Sequence, residues 1–262
     1  MEKENIEYWA GVLHGARQQG QPIPQISKEN SFTRPEAYSI QELLLQKQLG
    51  TGETLIGWKM GLTSEAKRRQ MNLDSPLYGF LTASMQVADK GTFSLEGTIH
   101  PKIEPEIAFL ISKELSGIVT REQVLESCGG IAGALEILDS RYQEFKYFSM
   151  EDVIADNSSS SHFVVGEWRK DFQNIDLLNL NMHMFVNELV LQTGISKDIS
   201  NDPIISVVQL CALLAERGQS LKAGSIVLAG AATAAEALRP GLKIRLAVDD
   251  LPEVTVQIKG KL

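Results

Sequence analysis

Apolar positions recur every three or four residues over IEYWAGVLHGARQQ and SIQELLLQKQLG, which predicts two amphipathic helices separated by a loop containing Pro22, Pro24 and Pro35. Gly50 and Gly52 close the second. From there the period shortens. TLIGWKMGL reads as an apolar strand, SEAKRRQMN as a polar helix, and SMQVADKGTFSLEGTIH as short strands joined by turns. TREQVLESCGG predicts a helix with Thr120 and Gln123 at capping-box spacing and Gly129 as its stop, running into the strand IAGALEILDSRY. Beyond a loop and a serine-rich segment come two strands joined by a turn around Asn187, then the helix DPIISVVQLCALLAERG, opened by Asp202 and Pro203 and ended by Gly218. SIVLAGA, LKIRLAV and VTVQI finish the chain as strands. With no internal repeat and no linker, the pattern predicts one continuous unit: a helical N-terminal region over 1–52 and a β-rich body with packed helices over 53–262.

Within that body, HPKIEPEIAFLI poses a chemical problem. In an extended chain Ile103, Ile107, Phe109 and Ile111 share one face, while Glu104 and Glu106 stand together on the other. Neighbouring anions repel and are costly to desolvate, so the pair needs solvent, a shared proton or a cation. Glu136 is likewise the lone charge inside an aliphatic strand. Carboxylates from adjoining strands would supply one side of the octahedron, with oxygens at about 2.1 Å, that a hard divalent ion such as Mg²⁺ takes. The alternative is a sheet edge whose glutamates face water. His100, a few residues upstream, reads as structural rather than as a fourth ligand.

Other residues stand out from their surroundings. Lys59 in IGWKMGL is either a partly buried ammonium in need of an anion or a side chain that reaches along the strand to solvent. Composition alone makes Ser158 to Ser161 a flexible linker, yet apolar segments flank the run on both sides. Its hydroxyls and backbone N–H groups have the chemistry to hold a carboxylate, as does the tight turn with Gly230 and Thr233.

Composition narrows the class. Apolar content of 43 % with 22 % charged residues is that of an ordinary globular protein, and a net charge of −8 argues against nucleic-acid binding while suiting a site that collects a cation. The start MEKENIEYWAG is acidic where a secretory signal is basic, and apolar runs fall short of the roughly 20 residues of a membrane span, so a cytoplasmic protein without a membrane partner is expected. Cys128 and Cys211, both within apolar patterns read as helical, are packing residues rather than a disulfide framework.

Taken in order, GWKMGLTSEAKRRQMNLDSPLYGFL, IHPKIEPEIAF, EILDSRYQEFKY, IADNSSSSHFVVG and LLAERGQSLKAGSIVLAGAATAA resemble the 4-oxalocrotonate decarboxylases, which belong with the 2-hydroxypentadienoate hydratases in the fumarylacetoacetate-hydrolase-like superfamily. The resemblance covers nearly everything from about residue 30 to 258. It implies an α/β (α+β) fold, a mixed β-roll with the helical N-terminal region packed against it. It also implies that Glu104, Glu106 and Glu136 ligate Mg²⁺, with Mn²⁺ as an alternative and no organic cofactor, and that Lys59 is catalytic. Leu77, Asn157, Ser158, Ser159, Ser160 and Thr233 would contact a dicarboxylate, 2-oxo-3-hexenedioate, which loses CO₂ to become 2-hydroxypenta-2,4-dienoate. A homo-oligomer and a complex with the hydratase of the same catabolic route are further implications. The hydratases tend to carry an acid in an EPDYG-like segment; here SPLYG has Leu77, which favours the decarboxylase. The chain departs from the family pattern at His162, often Arg, and at Ala231, often Gly.

Overall fold

The N-terminal helices form where the 3.6-residue period predicts them, α1 over Lys3–Gln19 and α2 over Arg34–Gly50, in a computed structural model that describes residues 1–64, 75–145 and 149–261. α2 starts earlier than its apolar pattern indicates. Pro35 belongs to its first turn, where no intrahelical N–H is required, and Thr33 with Glu36 forms a capping box. Buried Gln41 then docks the helix on the body, donating to Tyr78 O at 3.0 Å and Ile154 O at 2.9 Å. Apart from Ser64, the polar helix read from SEAKRRQMN lies outside the described residues.

The body begins with β1 (Leu55–Gly61), β2 (Leu77–Thr82), β3 (Gln86–Val87), β4 (Thr92–Ser94) and the long β5 (Lys102–Ile111). α3 (Arg121–Ser127) leads directly into β6 (Cys128–Leu138). The helix therefore stops before Gly129, and Cys128 is a strand residue, not a helical one. Its glycines serve close approach instead: a Cβ on Gly129 would lie 3.1 Å from Ser112 Cβ, and one on Gly130 would lie 3.4 Å from Arg169 O. After α4 (Met150–Ala155) come β7 (Ser160–Val165), β8 (Asn181–Val186), β9 (Leu189–Ile195) and α5 (Pro203–Glu216). β10 (Ile226–Ala231), β11 (Glu236–Ala237), β12 (Lys243–Val248) and β13 (Val254–Lys259) complete the chain.

The strands make two sheets. One runs β2-β1-β10-β5-β6-β7-β3 with β11 added on β5, and the other runs β4-β13-β12-β8-β9. Pairing is mixed, parallel at β1/β10, β3/β7 and β4/β13 and antiparallel elsewhere, so the fold is α+β with the larger sheet curled into a half-barrel. The sheets meet where β6 is smallest: a Cβ on Gly133 would touch Val248, Leu246 and Val254 at 3.3–3.8 Å. Ser196–Glu216, which contains α5, is apolar and long enough by composition to cross a membrane, contrary to the sequence expectation, but 61 % of its most apolar window is buried inside the fold. α5 is a core helix packed on β10 and β2.

β1 and β10 approach so closely that a Cβ on Gly57 would lie 2.1 Å from Ile226 O. Gly57→Ala is therefore expected to destabilise the protein by about 1–3 kcal/mol or more, read as a lower urea midpoint at unchanged m-value.

Candidate active site

The register of β5 on β6 gathers the carboxylates. Glu104 pairs directly with Glu136, Glu106 lies two residues along the same face, and Ala231 of β10 is opposite Glu106. Ligand oxygens of Glu104, Glu106 and Glu136 all fall within 4.8 Å of one another, and the last two residues are sealed from solvent. The glutamates thus do not line a wet sheet edge.

Lys59, on β1, reaches this cluster across β10, which at that end carries the small residues Ala229, Gly230 and Ala231. It does not extend to solvent: it is 3 % exposed, with Nζ 2.9 Å from Glu136 Oε2. Burial alone would depress its pKa, but Glu136, Glu104 and Glu106 together hold it above the ordinary lysine value. The other oxygen of Glu136 accepts from Ser160 Oγ at 2.9 Å. Glu106 Oε2 accepts from the Gly230 N–H at 2.7 Å, while Oε1, buried, has no hydrogen-bond partner among the described residues. Burial, then the charges of Glu136 and Glu104, push the Glu106 carboxyl far above the usual range. One ammonium against three carboxyl groups leaves the cluster short of positive charge, and an all-oxygen donor set with an orphaned buried oxygen fits a hard divalent cation.

Gly230 is the residue the turn requires. Its φ is +112°, and a Cβ there would lie 2.4 Å from Thr63 Oγ1. The serine segment is not a linker either. Asn157, Ser158 and Ser159 take φ of 49°, 53° and 57°, and Ser158 through Ser161 are buried. Arg141 clamps this left-handed run: its Nε donates to Asp156 Oδ1, its Nη2 to Asp156 O, and its Nη1 to Ser160 O at 3.1 Å.

The cluster opens on a cavity of about 220 Å³. Lys59, Glu104, Ser158, Ser159 and Thr233 form its polar side, and Leu62, Leu77, Leu138, Phe145 and Val153 its apolar side. Two sequence-predicted contact residues are elsewhere. The Asn157 amide is spent on β2, accepting from Phe80 N at 2.8 Å and donating to Phe80 O at 3.0 Å, and the Ser160 hydroxyl is turned to Glu136. His100 binds Tyr142 O through Nε2 at 3.0 Å and stands apart from the cluster. Sequence reasoning missed Arg141, Asp156 and Thr63. The charged pair in DSRY, so close after an aliphatic strand, was the available signal for Arg141.

The fumarylacetoacetate hydrolase C-terminal family model matches residues 57–259, the region that contains every element of this site. The chain belongs to the fumarylacetoacetate hydrolase family. Within it, this chain is 42 % identical to a 4-oxalocrotonate decarboxylase from a Pseudomonas species, over 95 % of this chain and 96 % of the relative. It superposes with a TM-score of 0.95, at 32 % identity and 98 % coverage of both chains, on the 4-oxalocrotonate decarboxylase from Pseudomonas putida G7 complexed with magnesium and adipate. A 2-hydroxyhexa-2,4-dienoate hydratase from Comamonas testosteroni is 31 % identical over 98 % of both chains, so decarboxylases and hydratases share this family architecture.

His162 has Nδ1 2.8 Å from Ser161 Oγ and its ring against Phe93. Burial, with Arg17 and Arg141 nearby, lowers its pKa from 6.5 to about 4. The unfolded chain thus binds the extra proton between those values, so stability from the neutral ring is whole above pH 6.5 and lost as pH falls toward 4. His162→Phe is expected to flatten that acid limb in urea unfolding measured across pH; an unchanged slope would assign the limb to other groups.

Proposed function

We propose that this chain is a divalent-metal-dependent carboxy-lyase that converts 2-oxo-3-hexenedioate (4-oxalocrotonate) to 2-hydroxypenta-2,4-dienoate and CO₂. The observation that carries the reading is the buried three-glutamate cluster, paired with Lys59 and opening on a cavity whose wall has Leu77 where a hydratase would want an acid. Similarity over nearly the full length to decarboxylases supports it.

Glu104, Glu106 and Glu136 would hold Mg²⁺ or Mn²⁺, which when bound supplies Lewis-acid polarisation of the 2-oxo group. Loss of CO₂ breaks the C5–C6 bond, and its electrons shift through C4 and C3 until negative charge accumulates on the C2 oxygen. Lys59 Nζ, charged and buried beside Glu136, donates to that oxygen as charge develops, stabilising the transition state more than the ground state. Ser160 Oγ and the Gly230 N–H fix the orientations of Glu136 and Glu106. Ser159 Oγ is the hydroxyl left to meet a substrate carboxylate; Ser158 and Thr233 also line the cavity, but their hydroxyls donate to Tyr78 O and Ala234 O. Leu62, Leu77, Leu138 and Val153 keep water from the departing carboxylate, which favours its conversion to neutral CO₂.

In this reading residues 1–52 brace the catalytic body 53–262, no organic cofactor takes part, and the enzyme works in the cytoplasm as a homo-oligomer able to associate with the pathway hydratase. Hydration of 2-hydroxypentadienoate is the rival activity, supported by the hydratase relatives.

CO₂ release from 2-oxo-3-hexenedioate that EDTA abolishes and Mg²⁺ restores is the expected result; hydration of 2-hydroxypentadienoate without CO₂ release overturns the proposal. Lys59→Met is expected to keep metal affinity in a titration with Mn²⁺ while kcat drops about 10²–10⁴-fold, and an unaltered kcat removes Lys59 from the mechanism. Glu106→Gln should instead weaken Mn²⁺ binding and leave the unfolding midpoint no lower, since it replaces a carboxyl that burial and the charges of Glu136 and Glu104 already disfavour in its ionised form.

A further inference from the structure

A second cavity, of about 570 Å³ and separate in its lining from the first, lies between the end of α1, the β4 region and β7. α1 reaches it because its left-handed cap, Gly20, lies flat on the chain at Gly97; a Cβ on Gly20 would be 2.7 Å from Gly97 O. Arg17, in the last turn, therefore projects into the cavity.

The guanidinium forms no ion pair there, although Asp139 and Glu96 also line the cavity. Nη2 donates to Ser161 O at 3.2 Å and Nη1 to Ser160 O at 3.5 Å, both neutral carbonyls, and no carboxylate among the described residues forms an ion pair with it. Asp156 is taken by Arg141, Asp139 accepts from the backbone N–H groups of Ile99 and His100, and Glu96 is exposed. Burial and the repulsion of Arg141 push the Arg17 pKa down to about 10, despite Asp156, Asp139 and Glu53, as befits a half-buried cation that lacks an anion. Ser94 Oγ, which accepts from Glu96 N, keeps its hydroxyl hydrogen, and in the tautomer where Ser161 Oγ donates to Nδ1 the His162 ring keeps an Nε2–H; the charged residues Glu96, Asp139 and Arg141 complete the polar lining. A buried positive charge is ordinarily paired, and a cavity of this size is that of a small-molecule site.

We propose that this cavity is a second ligand site, for a small molecule bearing an oxyanion, with Arg17 as the charge partner. The Nε–H and the outer Nη hydrogens, unused by the two carbonyls, present the planar edge that takes a carboxylate in two hydrogen bonds or a phosphate group in the same manner. The competing account, that Arg17 merely serves the negative end of α1, requires no ligand and predicts no binding.

Acetate and inorganic phosphate are the probes, titrated into the full chain by NMR or calorimetry at constant ionic strength with chloride as the balancing ion. Saturable binding in the millimolar range is expected for one or both, and which one binds identifies the oxyanion chemistry. Arg17→Met is expected to weaken it about tenfold or more, the scale of a charge-assisted hydrogen bond, with Lys59→Met leaving it unchanged because the catalytic cavity is not involved. If Arg17→Met does not fold, His162→Phe, which removes a wall donor, carries the test with an expected several-fold loss. Absence of saturable binding by both probes, equal affinity in the Arg17 or His162 variant that folds, or loss of binding in Lys59→Met overturns the proposal.

Discussion

Three carboxylates within 4.8 Å of one another, answered by one ammonium, set the terms for the surrounding structure. Such a group is tolerated inside a protein only if its oxygens are given something to bind, and the neighbouring strands do this piece by piece for all but Glu106 Oε1 among the oxygens described above. Lys59 comes from β1, the Gly230 N–H from β10, Ser160 Oγ from β7, and the register of β5 on β6 decides which oxygens face one another. A slip of one residue between β5 and β6 would put the glutamates on opposite faces and bury isolated charges. The long apolar pairing from Ile103 to Ile111 makes that slip unfavourable, so the packing of the sheet protects the geometry of the cluster.

The serine segment illustrates how strain is held at the site. Three consecutive left-handed residues, each costing about 1–2 kcal/mol outside glycine, turn Ser158 and Ser159 toward the cavity and start β7 with Ser160 aimed at Glu136. Against this cost stand the Asn157 amide, which pairs with Phe80 as a strand neighbour would, and the Arg141 guanidinium, bonded to both ends of the turn. Arg141 thus links the conformation of the catalytic cavity's lining to the orientation of Glu136, although it is part of neither that lining nor the cluster.

Glycine and leucine divide the cavity's chemistry. Gly61 leaves room for Leu77, whose Cδ1 would lie 2.6 Å from an added Cβ, and so lets an apolar side chain stand close to the lysine ammonium. The contrast of a charged floor with an apolar flank is a property of the folded sheet, since Leu77 and Lys59 come from β2 and β1, paired antiparallel at Gly61 and Leu77.

Much of this was written in the chain. The two-residue repeat of a strand puts Glu104 and Glu106 on one face in any extended conformation, and an aliphatic run around Glu136 marks it as a charge that needs a partner. The described long helices followed from apolar periodicity and caps, but Met150–Ala155 is a helix where the pattern predicts a loop, and a local rule failed where it had a second use: Pro35 sits inside a first turn, and Gly129 serves close packing instead of ending a helix. Composition alone would make the serine run a linker; its apolar flanks argue otherwise, and Arg141 and Asp156, buried against it, are what hold it. The sequence by itself determined which side chains carry charge into apolar surroundings and on which face of each strand they stand, because those follow from backbone geometry a few residues long. Only the tertiary structure decided that β1 lies two strands from β5, that Asn157 and Ser160 face protein rather than cavity, and that Arg17 ends without an anion, because these depend on register and burial summed over the whole sheet.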